Sequence, residues 1–175
     1  MGSDILKNAA LCFQSLEGKR YRIVIMRKDQ TQELTLFFPT QAFHHLSGLH
    51  KLKDTPIVQR GAKNVYKEIL DGKITYQDIE SSAFINDIKE RLYFFQQINT
   101  ILQTDSLFFK SLKGYFKGIT ASFVMTNILT DKQYGFLFFA KDNTDYLPCS
   151  FFNRNEQKEY TRNGVRWTIQ SINEI

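Results

Sequence analysis

Apolar residues Ile5, Leu6, Ala9, Phe13 and Leu16 recur at steps of three and four over residues 4–17, and Gly18 follows them. That spacing predicts an amphipathic helix stopped by the glycine. Residues 21–27 and 33–38 are β-type runs separated by the polar stretch 28–32, which predicts a hairpin. Pro39-Thr40 ends the second run, and Thr40 is suitably placed to cap a helix over the residues that follow. A second helix is expected over 62–70, closed by Asp71-Gly72. The strongest helical pattern covers 83–103, where Ile85, Ile88, Leu92, Phe95, Ile98 and Leu102 share a stripe and Asp87 stands four residues before Arg91.

Beyond it the period changes. Residues 119–129, 134–140, 146–152 and 165–171 are aromatic or β-branched runs divided by Asp-Lys, Asp-Asn and Asn-Gly turn signals. Helices first and a β-meander second predict an α+β fold, an antiparallel sheet with helices on one face. No repeat, linker or low-complexity tract divides the 175 residues, so one domain over 1–175 is expected.

Composition narrows the class. With 42% apolar residues, sixteen Phe and eight Tyr, the chain has material for a core and is not a disordered tail. A net charge of +5 favours an anionic partner such as nucleic acid. Cys12 and Cys149 form neither a disulfide framework nor a zinc spacing, and no membrane-length apolar run or signal-peptide pattern is seen. A cytoplasmic setting with no membrane partner is the expectation.

All three histidines, His44, His45 and His50, fall with Lys51 in the run 43–52. Histidine exchanges protons near neutrality, and a neighbouring lysine can hold an anion. On a helical wheel Ala42, Phe43, Leu46, Leu49 and Leu52 form one apolar arc that includes His45 and His50, while His44 and Lys51 lie opposite. The inward pair could be core histidines bonded to backbone or groups lining a groove. Five residues apart on a straight helix, they diverge by about 140°, so they meet only if the helix breaks near Gly48. Zinc is not expected, because the pair is two ligands short and no zincin spacing is present. No cofactor is expected either: Gly114 and Gly118 are isolated and form no phosphate-binding loop.

Two further places could bear chemistry. In 147–152, strand alternation puts Ser150 on the side of Tyr146 and Phe152, with Cys149 opposite. Its hydroxyl could meet a phosphate, although most such serines are ordinary strand residues, and no Gly-x-Ser-x-Gly elbow supports a Ser-His hydrolase. The loop 153–164 carries Arg154, Lys158, Tyr160 and Arg162, suited to phosphate forks and base stacking. It could equally be a solvated hairpin tip whose charge is offset by Glu156 and Glu159.

The run Phe43-His44-His45-Leu46-x-Gly48-Leu49-His50-Lys51-Leu52 followed by Asp54 resembles a known motif. So do Val65-Tyr66-Lys67-x-Ile69-Leu70-x-Gly72, Ile74-Thr75, Ser82, and Pro148-x-Ser150-Phe151-Phe152. Together, from about Leu11 to Tyr160, they resemble a phage- and mobile-element-associated domain of the barnase–EndoU–colicin–RelE-like (BECR) nucleases. The resemblance implies helices on a four-stranded antiparallel sheet, with RNA across the open face, and a ribonuclease-like effector or toxin. It implies metal-independent endoribonuclease chemistry in which the 2′-hydroxyl attacks the adjacent phosphate. That reaction needs a base, an acid and positive charge. By the same resemblance His45 is the first acid–base group and His50 the second. Lys51 would stabilise the phosphate, Ser150 would orient one of its oxygens, and Arg154 or Tyr160 would hold the substrate. RNA, tRNA among it, and a cognate inhibitor protein are the partners implied. Two other readings stay open: a non-catalytic RNA- or protein-binding module, and an accessory protein docking through surplus phenylalanines.

Overall fold

The computed structural model describes residues 4–175; residues 1–3 of the expected domain lie outside it. Helix α1 (Ile5–Gln14) is capped by Asp4, whose carboxylate accepts from the amides of Leu6 at 2.9 Å and Lys7 at 3.1 Å. Strands β1 (Arg20–Arg27) and β2 (Gln30–Phe37) form the expected hairpin. Its turn is tighter than the sequence suggested, with Arg27 opposite Gln30. Short α2 (Ala42–Leu46) carries His44 and His45, and α3 (Ala62–Leu70) follows as expected. Thr40 is not the cap of α2; Gln41 holds that place and makes no side-chain cap bond.

The helix expected over 83–103 is broken. Only α4 (Lys89–Phe95) is α-helical, flanked by 3₁₀ turns at Ile85–Asp87 and Ile98–Thr100. The last segment, Gln97-Ile98-Asn99-Thr100, holds mostly weak helix formers, and i→i+3 bonding replaces the helix there. Burial still follows the apolar stripe, since Ile88, Leu92, Phe95 and Ile98 are all fully buried. The Asp87–Arg91 ion pair expected from spacing is not formed.

The C-terminal half gives β3 (Leu107–Ser111), a small hairpin of β4 (Tyr115–Phe116) and β5 (Ile119–Thr120), and then β6 (Phe123–Thr130) and β7 (Gln133–Asp142). Next come β8 (Asp145–Arg154), α5 (Lys158–Thr161) and β9 (Gly164–Glu174). The main sheet has seven strands in the order β1-β2-β8-β7-β6-β3-β9, closed by β1 against β9. It is larger than the four strands expected, because the N-terminal hairpin joins it and β3 adds a strand that the sequence pattern does not predict. It is also mixed: β2 and β8 are parallel where Leu36 faces Tyr146. Such pairing between distant segments leaves no mark in local periodicity.

One face of the sheet shares a core with the helices. Phe43 packs on Tyr66 at 5.0 Å, on Phe13 at 5.6 Å and on Phe95 at 5.7 Å, and Phe95 reaches Phe151 of β8 at 5.5 Å. On the opposite face Val124, Phe136 and Phe138 are covered by Phe116, Ala121 and Tyr160. These two cores absorb the phenylalanines. Phe84 is the one exposed member of the sixteen, so the surplus that would favour a phenylalanine-rich docking surface does not exist. No helix among the described residues is long and apolar enough to cross a membrane.

Candidate active site

The histidine run is not one straight helix. After Leu46 the chain reaches Gly48 at φ +88°, then forms a 3₁₀ turn over Leu49–Lys51. Only glycine is at ease there: a Cβ would lie 2.7 Å from Ile88 Cγ2 and 3.2 Å from Arg91 Nη1. The reversal brings the His45 and His50 rings to 4.8 Å between centroids, inclined at 41°. The condition set by the helical wheel, a break near Gly48, is met.

The break also overturns the wheel's assignment of faces. His44, expected on the polar side, is buried and donates from Nε2 to the carbonyl of Val58 at 2.7 Å. His45, expected inward, is exposed, while His50 is half-buried. Nδ1 of His50 donates to the carbonyl of His44 at 3.4 Å, a long bond that leaves Nε2 with its lone pair free. Burial, with smaller contributions from the neighbouring His45 and Arg91 side chains, pulls His50 down to about 4. Burial lowers His44 as well. His50 is therefore a neutral imidazole at working pH.

Helix α2 packs on β8. A bulge at Cys149 breaks the alternation: Phe139 faces Pro148 but Phe138 faces Ser150. Ser150 consequently shares the face of Phe152, as expected, but not that of Tyr146, whose ring packs on Phe123 and Phe139 of the main core. Cys149 is turned toward the second core rather than opposite Ser150. Burial pushes its thiol up to about 11, so it is no nucleophile. Beside His45 a cavity of about 430 Å³ opens between Pro39, Gln41, Leu147, Pro148 and Cys149.

Beyond Ser150, the Phe152 ring gathers three cations: Arg91 Cζ at 4.2 Å, Arg154 Cζ at 5.4 Å and Lys51 Nζ at 5.7 Å from its centroid. Tyr160 stacks on Phe152 at 5.9 Å and 16°, and its hydroxyl accepts from Arg154 at 3.3 Å. The tyrosine ring is buried in the second core, and Arg154 Cζ lies 5.7 Å from its centroid as well as bonding its hydroxyl. The loop over 153–164 is thus not a free hairpin tip, since α5 and Tyr160 fasten it. Lys158 is exposed, and Arg162 lines a separate depression with Lys113 and Tyr115. Neither makes a hydrogen bond or an ion pair with a histidine.

Arg91 is the residue that sequence reading missed. Spacing suggested a helix-surface ion pair; instead the side chain is 3% exposed and has no carboxylate partner. Its Nη1 donates to the His45 carbonyl at 3.5 Å, and its Nε is buried with no acceptor. Burial of a guanidinium costs several kcal/mol, more than the roughly 2 kcal/mol a desolvated cation–π contact returns. Burial, then repulsion from Arg154, brings Arg91 down to about 10, so it stays charged at neutral pH. A signal existed: Arg91 stood in a stripe of apolar neighbours. The four-residue spacing to Asp87 points instead to a surface ion pair.

Two motif residues turn out to be structural. Asp54 accepts from Ser82 Oγ at 2.5 Å and from the Ala83 amide at 2.8 Å, tying the segment after the histidines to the approach to α4. This clamp helps hold Arg91 beside the histidine turn.

The arrangement sets a neutral imidazole with a free lone pair beside an exposed imidazole, and flanks both with unpaired positive charge. It can move protons and hold an anion. No group of three or more His, Cys, Asp or Glu side chains placed to hold a metal occurs among the described residues. No curated protein and no solved structure matches the chain. The family described as phage-Barnase-EndoU-ColicinE5/D-RelE-like nuclease 4 matches residues 5–171, nearly the whole length. The chain belongs to this phage-associated BECR nuclease family.

Proposed function

We propose that this protein is a metal-independent endoribonuclease that cleaves RNA through attack of the 2′-hydroxyl on the adjacent phosphate. The observation that carries the proposal is the approach of His45 and His50 to 4.8 Å beside Lys51. His50, neutral with Nε2 free, takes the proton from the 2′-hydroxyl. His45, exposed at the rim, gives a proton to the departing 5′-oxygen. The bond from the 2′-oxygen to phosphorus forms as the bond to the 5′-oxygen breaks, leaving a 2′,3′-cyclic phosphate and a free 5′-hydroxyl. Lys51 supplies positive charge to the phosphorane, and Ser150, on the same face as Phe152, orients a phosphate oxygen. Arg154 and the Tyr160 hydroxyl hold the strand, with Lys158 and Arg162 as outlying charges toward the RNA backbone. The cavity beside His45 receives a flanking nucleotide. In a phage-associated family such an activity fits an effector acting on host RNA, tRNA included, with an inhibitor protein guarding the producer.

An oligoribonucleotide and its 2′-deoxy counterpart test the chemistry. Cleavage of the first alone supports attack by the 2′-hydroxyl. Equal cleavage of both would refute it, and cleavage of neither with salt-dependent binding would favour a non-catalytic RNA-binding module.

A further inference from the structure

We infer that Arg91 and Arg154, with Lys51 shared between this site and the phosphate that is cleaved, form a preformed phosphate-binding site against Phe152 for the neighbouring phosphate. Only the relation to the cleaved phosphate rests on the proposed cleavage by His45 and His50; the anion site stands on its own geometry. Three cations converge on one ring, at 4.2, 5.4 and 5.7 Å. Of these only Arg154 has a carboxylate partner, Glu159 at 3.4 Å, and Glu159 is shared with Lys117 at 2.7 Å.

Arg91 forms the floor. It is almost fully buried, its Nε lacks an acceptor, and its one polar contact is a long bond to the His45 carbonyl. Mutually repelling cations of which only Arg154 has a carboxylate in contact, one shared with Lys117, are stabilised by an anion that supplies the missing acceptors. Lys51 and Arg154, each half-exposed, form the rim through which the anion enters. Position gives the class of ligand. The floor is bonded to the backbone of one histidine, and Lys51 is the sequence neighbour of the other. An anion held there lies along the path of a nucleic-acid strand crossing the histidine pair. Phosphodiester oxygens suit the guanidinium forks.

The test uses a short 2′-deoxy oligonucleotide, which lacks the attacking hydroxyl, and inorganic phosphate as a second probe. Wild type, Arg91→Met and Arg154→Gln are compared with Arg27→Gln as a distant control. Arg91→Met should melt at or above the wild-type temperature without ligand, because it removes an uncompensated buried charge. It should bind the oligonucleotide at least tenfold more weakly, with a salt slope reduced by about one. Arg154→Gln should shift in the same direction and Arg27→Gln should not. A phosphate-induced rise in Tm that Arg91→Met abolishes means that the free ion suffices; a rise with the oligonucleotide alone means that the phosphate is read within a chain. Unchanged affinity in Arg91→Met, or loss of its fold without ligand, would overturn the inference. If RNA is bound but never cut, the cleavage proposal fails while the anion site survives.

Discussion

His45 and His50 stand 4.8 Å apart because Gly48 lies between them at φ +88°. Without that turn the two rings would point in different directions from one helix. The glycine also permits the chain to lie against Ile88 and Arg91. It therefore joins the two histidines and brings the pair to the buried cation.

Gly48→Ala is expected to destabilise the protein by about 2–4 kcal/mol, combining a left-handed alanine with a clash against Ile88. Gly18→Ala, at φ +75° with open space around it, should cost only about 1–2 kcal/mol. Urea melts of the two variants measure the difference. Equal losses would mean that the close approach at Gly48 is unimportant.

The three histidines should separate by phenotype. His45→Ala and His50→Ala are each expected to lower cleavage by roughly 10²–10⁴-fold, His45→Ala with little change in stability because the side chain is exposed. His44→Ala should instead lower stability by about 1–3 kcal/mol, through the carbonyl of Val58 left without its donor. Calorimetry beside single-turnover cleavage distinguishes the two behaviours. A fully stable but inactive His44→Ala would contradict the assignment.

The dependence on pH follows from His50, which titrates at about 4 in the fold. As the base it must be unprotonated, so the acid limb of kcat/KM should fall near pH 4 rather than near the 6.5 of a free imidazole. Stability moves in the same sense. Between about pH 6.5 and 4 the unfolded chain binds the proton that folded His50 refuses, so stability falls as pH falls through that window. His44, also lowered, adds to the loss. Melting curves of wild type and His50→Gln across this range provide the check; parallel curves would remove His50 as the source.

Asp54→Asn tests the clamp on Ser82 and Ala83. Hydrogen bonds from these two groups hold the carboxylate below its ordinary range. The bonds therefore stabilise the fold above the ordinary carboxylate range and are lost as pH falls below it. The variant should melt lower at neutral pH and match wild type more closely in acid. Substrate should also bind more weakly, because Arg91 is less firmly placed, with the loss of cleavage following from the loss of binding.

Much of this was legible in the sequence, and the misses share a cause. Helix α1, the β1–β2 hairpin, α3 and strands β6 to β9 each carry a local pattern, and each was found within a few residues. The closure of seven strands depends on pairings such as Tyr21 with Glu174, which no local period encodes. For the site, the histidines, Lys51, Ser150 and Arg154 were visible as residue types, and Gly48 as the place where the helix had to break. The wheel failed because it assumed one straight helix through that glycine, exchanging the environments of His44 and His45. Arg91 was hidden because its placement depends on Phe152, sixty-one positions later in the chain.

The most direct test is incubation of purified protein with total tRNA and mixed RNA in EDTA, wild type beside His45→Ala, with the product ends analysed. The account predicts cleavage by the wild type, 2′,3′-cyclic phosphate termini, and little or none of either from His45→Ala. Equal cleavage by both proteins, or products lacking the cyclic phosphate, would contradict it.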